Sequence, residues 1–383
     1  MDIPRKRRWS ACWRSERKFS GPINAARLPF RGEDMAGKKT GEDAAFTRLK
    51  ADLRQGTPAG LYIFCGEEVY LRDHYLQQLR KKIATGPAEA FNYHRFDGRS
   101  LSMDDLTGAL EALPMMAERT LTIVDDYDLF KAPETERNKL IASLSDLPES
   151  TTVVFVYDTL EYKPDGRLKK LAALLKEKAQ VVTFEKQSQR ALTDWVVKHF
   201  QAVGKQISPE TCAELIFQTG GSMTALAMEI EKLSAYTDAP VITKQDLAAV
   251  VEPVLEAVVF QITDAIREEN FDLALQKLRT QFLMQQEPIP ILAAIGGQMR
   301  RLYAAKLLQE QGKTADMLLQ LFGMRDFAAR NTMAAARGFS MAWCEEALAL
   351  CALTDYRLKT SYDDPQRLVE QLILSLAEAQ RHG

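Results

Sequence analysis

The stretch GLYIFCGEEVYLRDHYLQQL, residues 60–79, governs how the rest of the chain is read. Its first six residues form a short apolar run closed by Gly66, which is the pattern of a buried strand. From Glu67 the spacing changes. Val69, Leu71, Leu76, Leu79 and Ile83 recur at helical intervals, so a helix is predicted over 67–83. The turn between such a strand and helix is where a nucleotide-binding chain carries its phosphate loop, GxxxxGK[ST]. Backbone N–H groups and the lysine of that loop neutralise phosphate, and its hydroxyl holds magnesium. Gly66 stands where the motif would open, but Leu71, Arg72 and Asp73 occupy the places of Gly, Lys and Ser/Thr. The branched Leu71 blocks close backbone approach, and Glu67 and Glu68 repel phosphate. The frame is thus of nucleotide-binding type with its phosphate chemistry removed. ATP is not expected to bind there, and no cofactor is expected.

Working outward, further strands are predicted at 91–96, 119–124, 151–157 (TTVVFVY) and 181–184, with helices at 102–110, 133–144 and 167–178 between them. Strands separated by helices of this length imply βαβ units and a parallel sheet covered on both faces. This first domain spans about 46–186. From Gln187 onward no strand is predicted. Helices at 188–203, 208–219, 222–236 and 243–250 form a small second domain, 187–252. Ser208-Pro209 gives a clean helix start, and Thr243 with Asp246 three residues later is a variant capping box. Residues 253–383 read as a third, helical domain, with helices at 254–268, 271–285, 289–311, 314–321, 324–335, 341–358 and 365–380. The fold class is α/β plus all-α.

Composition narrows the function. Of 383 residues, 46% are apolar, enough for folded cores, and no run approaches the ~20 residues needed to span a bilayer. No membrane segment is expected. The net charge of -2 does not indicate a globally basic nucleic-acid binder. Residues 1–34 carry nine Lys/Arg against four acids and lack a secretory core. They are expected to be part of a disordered basic leader, 1–45, with Met35 as a candidate start and the fold running from about Phe46. The five cysteines form no CxxC and the four histidines no HxxxH, which points to a reducing, cytoplasmic compartment and to no metal site. No catalytic motif occurs. LTIVDD, 121–126, resembles a magnesium-holding strand end, but without a phosphate loop it reads as a solvated turn. Arg300, Arg301 and Lys306 form a modest basic stretch, read as a solvated helix face rather than a DNA contact.

One segment is out of keeping with a simple core pattern. Leu113-Pro114-Met115-Met116-Ala117-Glu118-Arg119 lies between a short helix and a strand. Two adjacent methionines beside a proline do not both fit one core stripe, and Met is over-used at adaptable binding surfaces. On pattern alone, two readings stay open: a satisfied helix end packed on the sheet, or a knob that inserts into a partner's apolar pocket.

Residues 60–79, LPMMAERTLTIV (113–124), TTVVFVYDTLEYKPDGRLKKL (151–171) and GGSMTALAMEIEKLSAY (220–236) together resemble the delta subunit of bacterial DNA polymerase III, the clamp-loader subunit that opens the sliding clamp. DDPQRLVEQLILSL (363–376) is similar to that family's final helix. The likeness covers nearly all of 46–383, in order. It implies an AAA+-type parallel-sheet domain without a phosphate loop, a small helical lid domain and a C-terminal helical collar (oligomerisation) domain. It implies clamp binding through two adjacent large apolar residues, here Met115 and Met116, with Leu113, Pro114, Ala117 and Arg119 matching the flanking pattern. Leu-Phe or Phe-Phe is more usual at the pair, so two methionines are a departure that keeps apolar bulk and adds flexibility. The implied partners are the beta sliding clamp, the tau/gamma and delta prime subunits met through the collar, and primer-template DNA in the assembled complex. Apolar collar positions (Leu348, Leu350, Leu353; Leu368, Leu372, Leu376) are expected to divide between bundle core and ring contacts.

The resemblance implies a subunit of the DNA polymerase III holoenzyme, a DNA-directed DNA polymerase (nucleotidyltransferase), acting in cytoplasmic DNA replication with no catalytic site of its own. Such a subunit would open the clamp by preferring its sprung conformation. Two other readings remain: an ATP-independent DNA-binding regulatory protein on a degenerate AAA+ fold, and an AAA+ motor of another pathway.

Overall fold

The computed structural model of the chain describes residues 41–84 and 89–382. The basic segment 1–34 lies outside the described residues. The chain is helical from Gly41, a few residues before the expected start of the fold.

The first half alternates as expected. Helix α1 (Gly41–Gln55) leads into β1 (Leu61–Cys65), α2 (Val69–Ile83), the short α3 (Glu89–Asn92), β2 (Tyr93–Asp97) and α4 (Met103–Glu111). Then come β3 (Thr120–Asp125), α5 (Glu134–Ser145), β4 (Thr151–Val156), α6 (Lys169–Lys178) and β5 (Ala179–Thr183). The strands form one five-stranded sheet in the order β2-β3-β4-β1-β5, and every pairing is parallel. Central strands β1 and β4 are buried throughout, which is why β1 reads as an unbroken apolar run and β4 as two threonines followed by one. Alternation along β1 divides the core: Tyr62 and Phe64 pack with α1 and α2 residues on one face, Leu61 and Ile63 with α4, α5 and α6 residues on the other. Strand β2 starts at Tyr93 rather than at the expected Phe91. Phe91 is exposed, and residues 89–92 make a helical turn before the strand.

The next segment comprises α7 (Gln189–Ala202), β6 (Gln206–Ile207), α8 (Pro209–Gln218), α9 (Met223–Tyr236), β7 (Val241–Ile242) and α10 (Lys244–Val250). The two-residue strands β6 and β7 pair in parallel, contrary to the expectation of no strand beyond Gln187. Helix starts follow their caps. The side chains of Ser188, Ser208 and Ser222 each accept from the backbone N–H three residues on, and the Thr243/Asp246 box forms in both directions. These helices share one core with the α1/α2 face of the sheet. Trp195, Leu226 and Leu247 belong to the same apolar cluster as Phe64 and Leu79, and Trp195 meets Tyr70 edge-to-face at 5.4 Å.

Helices α11 (Leu255–Arg267), α12 (Phe271–Leu283), α13 (Pro288–Glu310), α14 (Asp316–Phe322), α15 (Asp326–Ala336), α16 (Met341–Thr360) and α17 (Pro365–His382) complete the chain around a separate core. Trp343 anchors it. Its ring stacks on Phe339 at 3.9 Å, and its Nε1–H donates to the Leu376 carbonyl at 3.1 Å. The seam between the two bodies is small. Val254 N–H donates to the Gln218 carbonyl at 2.8 Å. Phe217 sits edge-on to Phe260 at 4.9 Å and beside Phe327 at 5.8 Å. Arg325 lies over Gly221, whose φ is +70° and where a Cβ would stand 2.4 Å from the guanidinium. Among the described residues, no helix is long and apolar enough to cross a membrane.

Candidate functional site

The corner where a phosphate loop would sit is filled by the chain itself. Gly66 takes φ +110° and packs directly on the backbone of Phe184. The Glu68 N–H, which in a working loop would face phosphate, donates to the Phe184 carbonyl at 2.9 Å, and the Glu68 side chain is buried. Burial pushes its carboxyl above the usual range, against the opposing pull of a backbone hydrogen bond at Tyr70 and of Arg325 and Lys186. Leu71 is buried in the sheet core. Arg72, in the place of the phosphate-binding lysine, is only 3% exposed. Its guanidinium donates to Asp158 Oδ1 at 2.6 Å and to the Tyr157 carbonyl at 3.3 Å. The groups that would meet a nucleotide are therefore engaged with Phe184, Tyr157 and Asp158.

The acids of LTIVDD are engaged too. Asp125 receives a two-pronged contact from Arg95, at 2.6 and 3.0 Å. Asp126, at φ +50°, accepts from the backbone N–H groups of Asp158, Thr159 and Leu160 and from the Thr159 hydroxyl. Burial would raise its carboxyl, but these hydrogen bonds outweigh it and hold the group below the usual range. Asp126 thus ties down the loop after β4. Among the described residues, no group of three or more His, Cys, Asp or Glu side chains is placed to hold a metal ion.

Segment 112–119 leaves α4 and enters β3, so it lies at the edge where the parallel strands begin, opposite the filled corner. It is a loop, and its apolar side chains face outward: Leu113 is 82% exposed, Met115 49% and Met116 90%. Met116 holds a left-handed backbone, φ +51°, which a non-glycine residue adopts at a cost of ~1–3 kcal/mol. The loop is held at its middle and at its C-terminal end. Met115 N–H donates to Asn92 Oδ1 and Asn92 Nδ2 donates to the Met115 carbonyl, each at 2.7 Å. Arg119 turns inward, donating to the Pro58 carbonyl at 3.2 Å and to Thr152 Oγ1 at 3.4 Å. Pro114 is half-buried between Leu113 and Met115. Beside Arg119 at the same edge lies a cavity of about 350 Å³, lined also by Gly60, Pro148 and Lys178. The structure thus places Leu113, Met115 and Met116 on one exposed loop and sets Arg119 behind it. Asn92 carries no motif and was not singled out by the sequence.

In the helical bundle, Leu368, Leu372 and Leu376 are core residues, Leu348 and Leu350 are half-buried, and Leu353 is 55% exposed. Leu353 borders a groove between α16 and α17 with exposed Leu374. Of the basic stretch, Arg301 pairs with Glu256 at 2.8 Å and Lys306 reaches the Ala336 carbonyl at 3.4 Å.

A parallel sheet in this order, its nucleotide corner closed, joined to a helical lid and a helical bundle, defines an AAA+-type fold without a phosphate loop. Comparisons with known proteins point to one family. A family model described as "DNA polymerase III, delta subunit" matches residues 62–185, and one for that subunit's C-terminal domain matches 256–376. The DNA polymerase III subunit delta of Bacillus subtilis (strain 168) is 27% identical over 330 residues, 85% of this chain and 94% of that one. The probable DNA polymerase III subunit delta of Aquifex aeolicus (strain VF5) is 24% identical over 277 residues, 70% and 76% of the two chains. The solved Bacillus subtilis DNA clamp loader delta protein (YqeN) superposes with a TM-score of 0.51 at 25% identity, covering 87% of this chain and 99% of that one. The chain belongs to the family of DNA polymerase III delta subunits, the delta proteins of the clamp loader.

Proposed function

We propose that the chain binds the DNA sliding clamp through Met115 and Met116, with Leu113 beside them, and holds the clamp open during replication without hydrolysing ATP. The observation that carries this reading is the outward projection of three large apolar side chains on a loop pinned at Met115 and Arg119. An apolar knob of this kind fits a hydrophobic pocket, and docking removes it from water. Arg119 is assigned the anchoring of the loop rather than a contact with the clamp. The reading includes assembly with other clamp-loader subunits through the bundle of 253–383, where Leu353 and Leu374 offer apolar contacts, action on primer-template DNA as part of that complex, and a cytoplasmic place of work. An ATP-driven motor is disfavoured by the packing of Gly66, Glu68 and Arg72 into their own surroundings.

The test is binding of the purified chain to the sliding clamp without nucleotide. Burying the exposed parts of Met115 and Met116 is worth about 3–4 kcal/mol before, and about 2 kcal/mol after, the cost of ordering two flexible side chains. Met115→Ala/Met116→Ala should therefore weaken the complex about thirtyfold, measured by titration calorimetry. Wild-type affinity in the double variant would reject the site. No binding by the unaltered chain would reject the function.

A further inference from the structure

We infer that Asn92 is a positioning residue for clamp binding, which sets the Met115–Met116 backbone in its docking conformation. The inference rests on the reading of those methionines as the clamp contact. Strand β2 begins at Tyr93, whose ladder partner on β3 is Leu121. One residue earlier, the Asn92 side chain reaches past the end of the ladder to Met115 in the loop before β3. A primary amide offers a carbonyl and an N–H side by side, as a peptide unit does, and Asn92 uses both on Met115 at 2.7 Å. Asn92 is 1% exposed, so its amide has little access to water and would be costly to leave unsatisfied. The turn that carries Asn92 is itself braced: Arg80 pairs with Glu89 at 2.6 Å and lies over the Tyr93 ring at 4.4 Å. The residue next to the pinned one, Met116, has the left-handed φ and the greatest exposure of the pair. Asn92 thus supplies the fixed point against which the strained, outward-facing methionine is held. Without it the loop would populate other conformations, and affinity would fall by the fraction no longer competent to dock.

The experiment compares Asn92→Ala, Asn92→Asp and Met115→Ala/Met116→Ala in clamp binding without nucleotide, together with hydrogen exchange over 112–119 and thermal unfolding. Asn92→Asp keeps an acceptor for the Met115 N–H but loses the donor and places a carboxylate against the Met115 carbonyl. Both Asn92 variants are expected to bind about tenfold more weakly, Asn92→Ala from loss of both hydrogen bonds and Asn92→Asp from the lost donor and the carboxylate set against the Met115 carbonyl. Exchange at Met115 should quicken, and the unfolding midpoint should fall modestly while the chain stays folded at the temperature of the binding assay. Added to the methionine double variant, Asn92→Ala should cost little further affinity, because its effect runs through those side chains. Binding by both Asn92 variants within twofold of wild type, while the methionine double variant loses affinity, would overturn the inference and leave the clamp site standing. So would an Asn92→Ala loss that persists in full on the methionine-less background. Retained affinity in the methionine double variant would instead strike at the site itself, and that outcome is read independently of Asn92.

Discussion

Gly66→Ala is expected to damage the fold. A Cβ at position 66 would stand 2.4, 2.7 and 2.8 Å from the oxygen, nitrogen and carbonyl carbon of Phe184, all backbone atoms. Relief requires β5 and β1 to separate where Phe184 N–H donates to the Cys65 carbonyl at 2.7 Å and Glu68 N–H donates to the Phe184 carbonyl at 2.9 Å. The Phe184 ring sits in the core, edge-on to Phe64 at 5.1 Å, so the shift is transmitted inward. The φ of +110° adds ~1–3 kcal/mol of strain for an L side chain, and two weakened backbone bonds add ~1 kcal/mol each. Lower unfolded-state entropy returns ~0.4–1 kcal/mol, leaving a net loss of ~3–4 kcal/mol. With a urea slope of ~2–3 kcal/mol/M, the midpoint should fall by more than ~1 M. Gly56→Ala is the control: it has φ +77° and nothing within 4 Å of its Cβ, so only strain is expected there. A Gly66→Ala loss no larger than that of Gly56→Ala would refute the packing account, and a change in ATP affinity would show the corner to be a nucleotide site after all.

Two further outcomes follow from buried groups. Trp343→Phe should cost ~2 kcal/mol by calorimetric unfolding, through the lost bond to Leu376 and the smaller ring, and should leave clamp affinity unchanged because that core is separate from the sheet. His74 titrates at about 4, depressed from 6.5 by burial and by Lys81 and His199. Between those values the unfolded chain takes up a proton that the folded chain refuses, so stability present above pH 6.5 is lost as pH falls toward 4. His74→Gln should therefore lose less thermal stability than wild type between pH 7 and pH 5, as read by circular dichroism; equal slopes would exclude His74 as a source.

The parallel sheet was legible because β1 and β4 carry buried apolar runs separated by helical spacing, while the clearest start signals lie on the helices of the second segment. Ser208 and Thr243 each cap the helix expected from them, and Ser102 and Ser188 cap the helices predicted over 102–110 and 188–203. Helix α1 was not legible, since its described buried apolar positions, chiefly Leu49 and Leu53, make too thin a stripe to stand out. Strands β6 and β7, two residues each, are too short to carry a period. At the candidate site, the methionine pair was visible as a local anomaly beside Pro114. Asn92 was not, because its partner lies 23 residues away and a lone asparagine carries no pattern. The inward turn of Arg119 likewise depends on Pro58 and Thr152, which only the folded sheet brings near.

The fusion of α7–α10 to one face of the sheet has a mechanical consequence. With two cores and one slender seam at Val254, Phe217 and Arg325, the softest way to deform the chain is a swing of one block against the other about that seam. The methionine loop belongs to the first block, so it travels with the swing as the tip of a stiff arm. Force delivered at the bundle end would reach the tip as displacement rather than being absorbed between sheet and lid. In such an arm, the residues that set its reach are those of the pivot, far from anything the tip touches.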